Sequence, residues 1–301
     1  MPKNNLKHFL HLHLIVFIWG FTALLGDLIN LEALPLVWFR MLLAVGFIFI
    51  YFLIKKKDYK VDKKAWFKFL IGGIIIALHW ITFFHAIKVS NISVVLVTLS
   101  TGAFFASILE PIFFKRRIQP LELFFGMIVI SGLYVIFNLD TEYTLGIIYA
   151  LISAFLSALF SVINGLYVKK YDPSLISFYQ LFLGVGFVSI FLGVTGGFHA
   201  EFFSLEVMDW VYLFILSSFC TAYAFIGSVK VMQYLTPYTV MLTINLEPVY
   251  GIILAVLVFP EKEKMDASFY IGAAIIILVV LLNGIIKNQK EKAIQKKQIS
   301  I

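Results

Sequence analysis

Charge is scarce in this sequence. Only 14% of its 301 residues are Asp, Glu, Lys or Arg, against about a quarter in a soluble domain. That is too little to coat a core of this size with a polar exterior. A soluble globular protein, a disordered chain and a coiled coil are all excluded. Cysteine is almost missing too: Cys220 stands alone, so neither an internal disulfide nor a Cys-based metal site can form. The motifs of soluble catalysis are absent as well. There is no G-x-x-x-x-G-K-[ST], G-x-G-x-x-G, H-E-x-x-H, G-x-S-x-G or C-x-x-C. No ATPase is built into this stretch, so work done by it must draw on a gradient. No catalytic set, metal or cofactor is expected.

What is present is apolar. Hydrophobic residues make up 61% of the chain, and Phe alone occurs 32 times. A membrane-spanning helix needs about 20 mostly apolar residues, and ten such runs are expected: 9–28, 34–54, 66–86, 92–114, 121–138, 145–167, 175–193, 210–229, 237–259 and 267–286. Runs of this length without alternation are helices, not barrel strands. The first run follows a short basic segment without an A-x-A-like cleavage site, so it reads as a retained helix.

Lys and Arg set a direction. With the N-terminus placed in the cytoplasm, twenty of the 24 fall in cytoplasmic segments, chiefly 55–68, 115–117 and 287–297. Lys88, Lys262 and Lys264 are the three on the outer side, and Arg40 lies within a span. Losing one span would scramble that split. Both termini are therefore expected in the cytoplasm, with residues 288–301 as a Lys-rich tail. The net charge of +7 reports this topology and contact with anionic lipid, and needs no nucleic acid.

The two halves resemble each other. Residues 40–47 (Arg-Met-Leu-Leu-Ala-Val-Gly-Phe) read like residues 180–187 (Gln-Leu-Phe-Leu-Gly-Val-Gly-Phe). Trp66 matches Trp210, residues 94–98 match 239–243, and Gly126 matches Gly272. The halves 1–140 and 141–287 each hold five spans, an odd number, so they must cross the bilayer in opposite directions. The expected fold class is an all-α membrane protein with ten transmembrane helices in two inverted five-helix repeats. That is an architecture of carriers with a site near the midplane.

Trp19-Gly20, Phe39-Arg40 and the run from Leu246-Glu247-Pro248 to Glu261, followed by Gly272 opening the last span, resemble the EamA branch of the drug/metabolite transporter superfamily. The resemblance covers nearly the whole chain as two copies. It implies a ten-helix carrier of small metabolites in the cytoplasmic membrane, often an exporter of amino acids or related compounds. The first copy departs from the pattern: Gly102 stands where Pro248 stands, Lys115 where Glu261 stands, and Glu110-Pro111 occurs two turns later.

Ionisable groups inside lipid are costly unless they face a cavity or a partner. Glu247 lies ten residues into the ninth span, about 15 Å deep. Pro248 beside it removes a backbone donor and loosens the preceding turn. The carboxyl can bind a substrate ammonium, carry a proton, or serve packing as a neutral acid. Arg40, about 9 Å below the outer surface, can fork onto a substrate carboxylate, cap carbonyls or snorkel outward. Trp19, His79, Trp80 and Tyr223, the mate of His79, are candidates for the cavity wall because each joins an apolar body to a polar edge. Asn245 neighbours Glu247.

Other features read as structural. Glu110 and Arg117 share a helix face and suit an ion pair or a snorkelling carboxylate. Ala150, Ala154 and Ala158 beside Ser153, Ser157 and Ser161 form stripes for close packing, with a sliding gate as a secondary role. His8, His11 and His13 are interface residues rather than a metal site. The expected partners are a small-molecule substrate and membrane lipid. The rival readings are an importer or exchanger, a channel, and an intramembrane lipid enzyme using Glu247 and His79.

Overall fold

The computed structural model describes residues 3–139 and 143–267, and then 269–275, 277–279, 282, 285, 286 and 289. Among these there is no strand. The helices are α1 (Lys3–Leu28), α2 (Ala33–Lys55), α3 (Lys63–Lys88), α4 (Ile92–Leu99), α5 (Gly102–Phe114), α6 (Pro120–Leu139), α7 (Thr144–Tyr167), α8 (Pro173–Thr195), α9 (Val207–Ser217), α10 (Ala224–Val231), α11 (Pro237–Ile244) and α12 (Glu247–Val258). Among the described residues, eight helical stretches are long and apolar enough to cross a membrane, and they coincide with eight of the expected spans. The α6 helix, 20 residues long, occupies a further one. The last expected span, 267–286, lies partly outside the described residues. The tail, apart from residue 289, and the boundary at residue 140 lie outside them.

Short polar residues start these helices, and left-handed residues stop them. The side chains of Asp62, Asn91, Asp172 and Thr236 each accept a hydrogen bond from a backbone N–H of the first turn that follows. Lys56, Lys115 and Gly196 take positive φ (48°, 54° and 69°) just past α2, α5 and α8, which closes each helix and turns the chain back.

Three expected spans are not continuous helices. The fourth breaks at Ser100-Thr101 into α4 and α5, and the ninth breaks at Asn245-Leu246 into α11 and α12. The two breaks are 145 residues apart, as are the caps Asn91 and Thr236. Both upstream pieces are eight residues long. Registered on the breaks, Gly102 opens α5 where Glu247 opens α12. That moves the expected pairing of Gly102 with Pro248 by one residue. The eighth span carries a π turn at Ser218–Tyr223, between α9 and α10.

The α3 helix packs between α7 and α8. Against α7 the surface is small: Ala150, Ser153 and Ala154 are wholly buried. Against α8 backbone meets backbone, because a Cβ on Gly184 would stand 2.8 Å from the Gly73 carbonyl oxygen. The outward faces carry Leu, Ile and Phe, among them Leu10, Ile54, Phe67, Ile190 and Leu257, as lipid demands.

Contacts between connections fall at two ends. At one end Lys57 pairs with Asp172 at 3.0 Å and Tyr179 Oη donates to the Tyr59 carbonyl. At the other, Lys262 pairs with Asp27 at 2.6 Å, Lys88 donates to the Ile29 carbonyl, and Asp209 accepts from the Asn30 N–H.

Candidate functional site

A cavity of about 80 Å³ lies where the two breaks meet α1, α2, α3, α7 and α10. One buried water needs only ~10–15 Å³ on this measure, so the space exceeds a packing gap. Trp19, Arg40, His79, Trp80 and Glu247, five of the seven expected site residues, line it. They come from four separate spans, and the bundle brings them together.

Arg40 is 1% exposed. Its guanidinium carbon lies 3.9 Å from the centre of the Trp80 ring, and Nε donates to Thr221 Oγ1 at 2.7 Å. Thr221 sits in the π turn, and its hydroxyl donates in turn to the Leu216 carbonyl at 2.7 Å. The stack and the bond hold the guanidinium plane, while Nη1 has no hydrogen-bond partner. Snorkelling is thereby answered: the charged head stays inside, not at the surface.

Glu247 is the first residue of α12 and is 6% exposed. The positive end of the helix dipole favours a carboxylate there. Pro248 follows in the first turn, where proline is tolerated. Having no N–H, it cannot bond the Ile244 carbonyl, and Ile244 also lines the cavity. Among the described residues no hydrogen bond reaches the Glu247 carboxyl, and it makes no ion pair with Arg40. A cation and a carboxyl thus share one small space without neutralising each other by contact.

His79 Nδ1 lies 2.9 Å from the Ser153 carbonyl and 2.8 Å from its hydroxyl. A carbonyl only accepts, so Nδ1 carries the proton and Nε2 is left as the acceptor in neutral imidazole. Trp19 Nε1 donates to the Cys220 carbonyl at 3.0 Å, which ties α1 to the same π turn. Phe83, Phe160 and Phe225 add apolar walls.

The cavity lining leaves out two of the expected residues, Tyr223 and Asn245. Tyr223 is 44% exposed and bonds His11 Nε2 at 3.1 Å. The π turn adds a residue to the helix, which turns the following face by about 100°, so the mate of His79 points outward. Asn245 caps α11 and is buried, but it does not line the cavity. Glu110 bonds Arg116, not Arg117, because left-handed Lys115 folds the chain back one residue earlier.

Other groups escaped the sequence reading. Thr22, Phe83 and Ser228 line the cavity. Thr22 follows Trp19 by three and Phe83 follows His79 by four, so helix-face spacing pointed to both. Ser157 and Ser161, read as packing, line it as well. Thr221 carried no sequence signal, because a π turn has none.

Comparison with known proteins agrees with this architecture. The family model described as "EamA-like transporter family" matches residues 8–138 and again residues 144–285. An "Uncharacterized transporter" of Clostridium kluyveri is 23% identical over 225 residues, covering 71% of this chain and 70% of its own. A solved structure described only as the crystal structure of a protein superposes with a TM-score of 0.70. It covers 95% of this chain and 99% of its own at 13% identity, a likeness of fold alone.

Proposed function

The chain belongs to the EamA-like transporter family, a multi-pass integral membrane protein, and from that premise we propose that it is a secondary transporter of a small amphipathic metabolite bearing both an ammonium and a carboxylate. An amino acid or a close relative is the best fit. Ten helices in two inverted repeats would supply alternating access in the cytoplasmic membrane, with both termini inside and export as the physiological direction. The doubled family match, the equivalent helix breaks and the distribution of Lys and Arg support this reading. Discontinuous helices at matching places in two halves mark the binding site of such carriers.

The observation that carries the reading is the pair of opposite charges in one apolar cavity. Arg40 offers an unpartnered N–H for a carboxylate. Glu247 offers an acceptor for an ammonium, and the absence of a hydrogen bond to its carboxyl among the described residues suits it to exchange a proton with the substrate. Trp19, Trp80 and the Phe rings receive the apolar part, with His79 Nε2 as a further acceptor.

Counterflow in proteoliposomes tests this. Vesicles are loaded with a mixed pool of amino acids, and exchange is followed for the wild type and Glu247→Gln. Selective exchange of one zwitterionic class is expected. Glu247→Gln should lower it by tenfold or more, about 1.4 kcal/mol of lost charge-assisted hydrogen bonding, and flatten its pH dependence. Unchanged exchange with an unchanged pH profile in Glu247→Gln would remove Glu247 from the mechanism.

A further inference from the structure

Two of the buried carboxyls outside the cavity, Glu110 and Glu263, each grip the start of a half-helix in the other half of the chain. Glu110, near the end of α5, is 4% exposed. Its Oε2 accepts the Tyr238 N–H at 2.7 Å, in the first turn of α11, and its Oε1 accepts Arg116 Nη1 at 3.0 Å. Glu263, just beyond α12, is 1% exposed. Its two oxygens accept the Ile92 and Ser93 N–H groups at 3.0 and 2.9 Å, in the first turn of α4. Tyr238 and Ser93 stand 145 residues apart, the offset of the helix breaks. The two grips are equivalent in the repeat, although the gripping residues are not.

Neither grip is needed merely to start its helix. Asn91 and Thr236 already cap α4 and α11 from within. The carboxyls add a cross-link between halves at opposite ends of the bundle: Glu110 at the end that holds Arg116, Glu263 at the end that holds Lys262. Each half-helix then runs eight residues, ~12 Å, to the cavity, where Leu99 and Ile244 form part of the wall. A half-helix anchored outside by a carboxyl and ending at the site couples the site to that end.

We propose that Glu110 and Glu263 are reciprocal latches, each closing one end of the transport path, released in alternation as that end opens. The proposal rests on the alternating-access reading above. Both oxygens of each carboxyl accept from N–H donors. A glutamine keeps one acceptor and loses the other, so Glu110→Gln and Glu263→Gln each weaken one latch. Both latches are closed in this structure.

The test reads sidedness, not transport. Cys220→Ala leaves a chain without cysteine, and Ser157→Cys then places one thiol in the cavity wall. An impermeant maleimide is applied to right-side-out and to everted vesicles, and Lys57→Cys serves as the marker of its own end. The parent should label weakly from both sides. Glu110→Gln should raise labelling about tenfold from the Lys57 side alone, the population shift for one lost charge-assisted hydrogen bond, and Glu263→Gln should raise it from the opposite side alone. Arg116→Gln, at an exposed position, should act like Glu110→Gln but more weakly, and it guards against misfolding of the buried variant. Glu263→Asp, which keeps both oxygens on a shorter arm, serves the other end. Labelling that rises from both sides, from the same side for both latches, or not at all in variants that elute as folded protein would overturn the proposal. Normal counterflow with no sided labelling would reject the latches and keep the transporter. Sided labelling without exchange of any metabolite pool would support the latches and send the transport reading back for revision.

Discussion

At the scale of the residue, the cavity depends on how Arg40 is held. A buried guanidinium is stable only when its donors or its faces are used. Trp80 takes one face, and Thr221 takes Nε. Thr221 does not itself line the cavity and acts by positioning Arg40. Thr221→Val removes the acceptor for Nε, and should raise the KM of a carboxylate substrate roughly tenfold, since a hydrogen bond to a charged group contributes ~1.5–3 kcal/mol. The maximal exchange rate should change much less. Thr221→Ser keeps both the acceptor and the bond to the Leu216 carbonyl, so it should restore the wild-type KM. Equal loss in both variants would deny the hydroxyl this positioning role.

At the scale of the element, legibility differed from helix to helix. The break before α12 was foreshadowed by Pro248, which cannot donate to the preceding turn. Its counterpart at Ser100-Thr101 has no proline; only buried hydroxyls bonding back to Leu96 and Thr98 mark it. The π turn left no trace in the sequence, and this is why Tyr223 was misplaced and Thr221 unseen. Glu263 lay in a polar Glu-Lys-Glu-Lys run that reads as solvated loop, and only the tertiary fold carries it onto α4. The crossing of α3 and α8 rests on small residues that the sequence reading did not single out for packing. A methyl on Gly184 would meet the backbone of Gly73, which cannot swing aside. Gly184→Ala should therefore lower stability by about 1–3 kcal/mol, as overpacking does. Gly186→Ala, two residues on with open space around its Cα, should leave thermal unfolding in detergent nearly unchanged. Equal shifts in the two variants would deny the close approach.

At the scale of the whole molecule, contacts between connections gather at two ends of the bundle. The contact of Lys57 with Asp172 and Ser174 ties the connection after α2 to the start of α8. Partial burial by itself would push the Asp172 carboxyl up; bonds from the Ser174 hydroxyl, Lys57 and the Ser174 N–H hold it below its ordinary value. A depressed carboxyl contributes stability that is present above its unfolded pKa, near 4, and is lost as pH falls through the folded value. Both side chains are a third or more exposed, so the contribution is at most ~1 kcal/mol. Asp172→Asn keeps the helix cap and loses the charge. Its unfolding midpoint should sit slightly below that of the wild type at pH 7, with the gap closing below about pH 4. A gap that widened on acidification would contradict the assignment.

The positions of the indole rings have an optical consequence. Of five tryptophans, Trp19 and Trp80 line the cavity, and Trp80 lies against the Arg40 cation. Trp66 and Trp210 are exposed on the outer surface of the bundle, and Trp38 sits in a ring of phenylalanines formed by Phe198, Phe202 and Phe203. Two of the five indoles thus stand at the candidate site, and their share of the ultraviolet emission reports on it. A guest that draws the guanidinium away from Trp80, or displaces water beside Trp19, changes colour and intensity at the source, and the chain carries its own occupancy gauge.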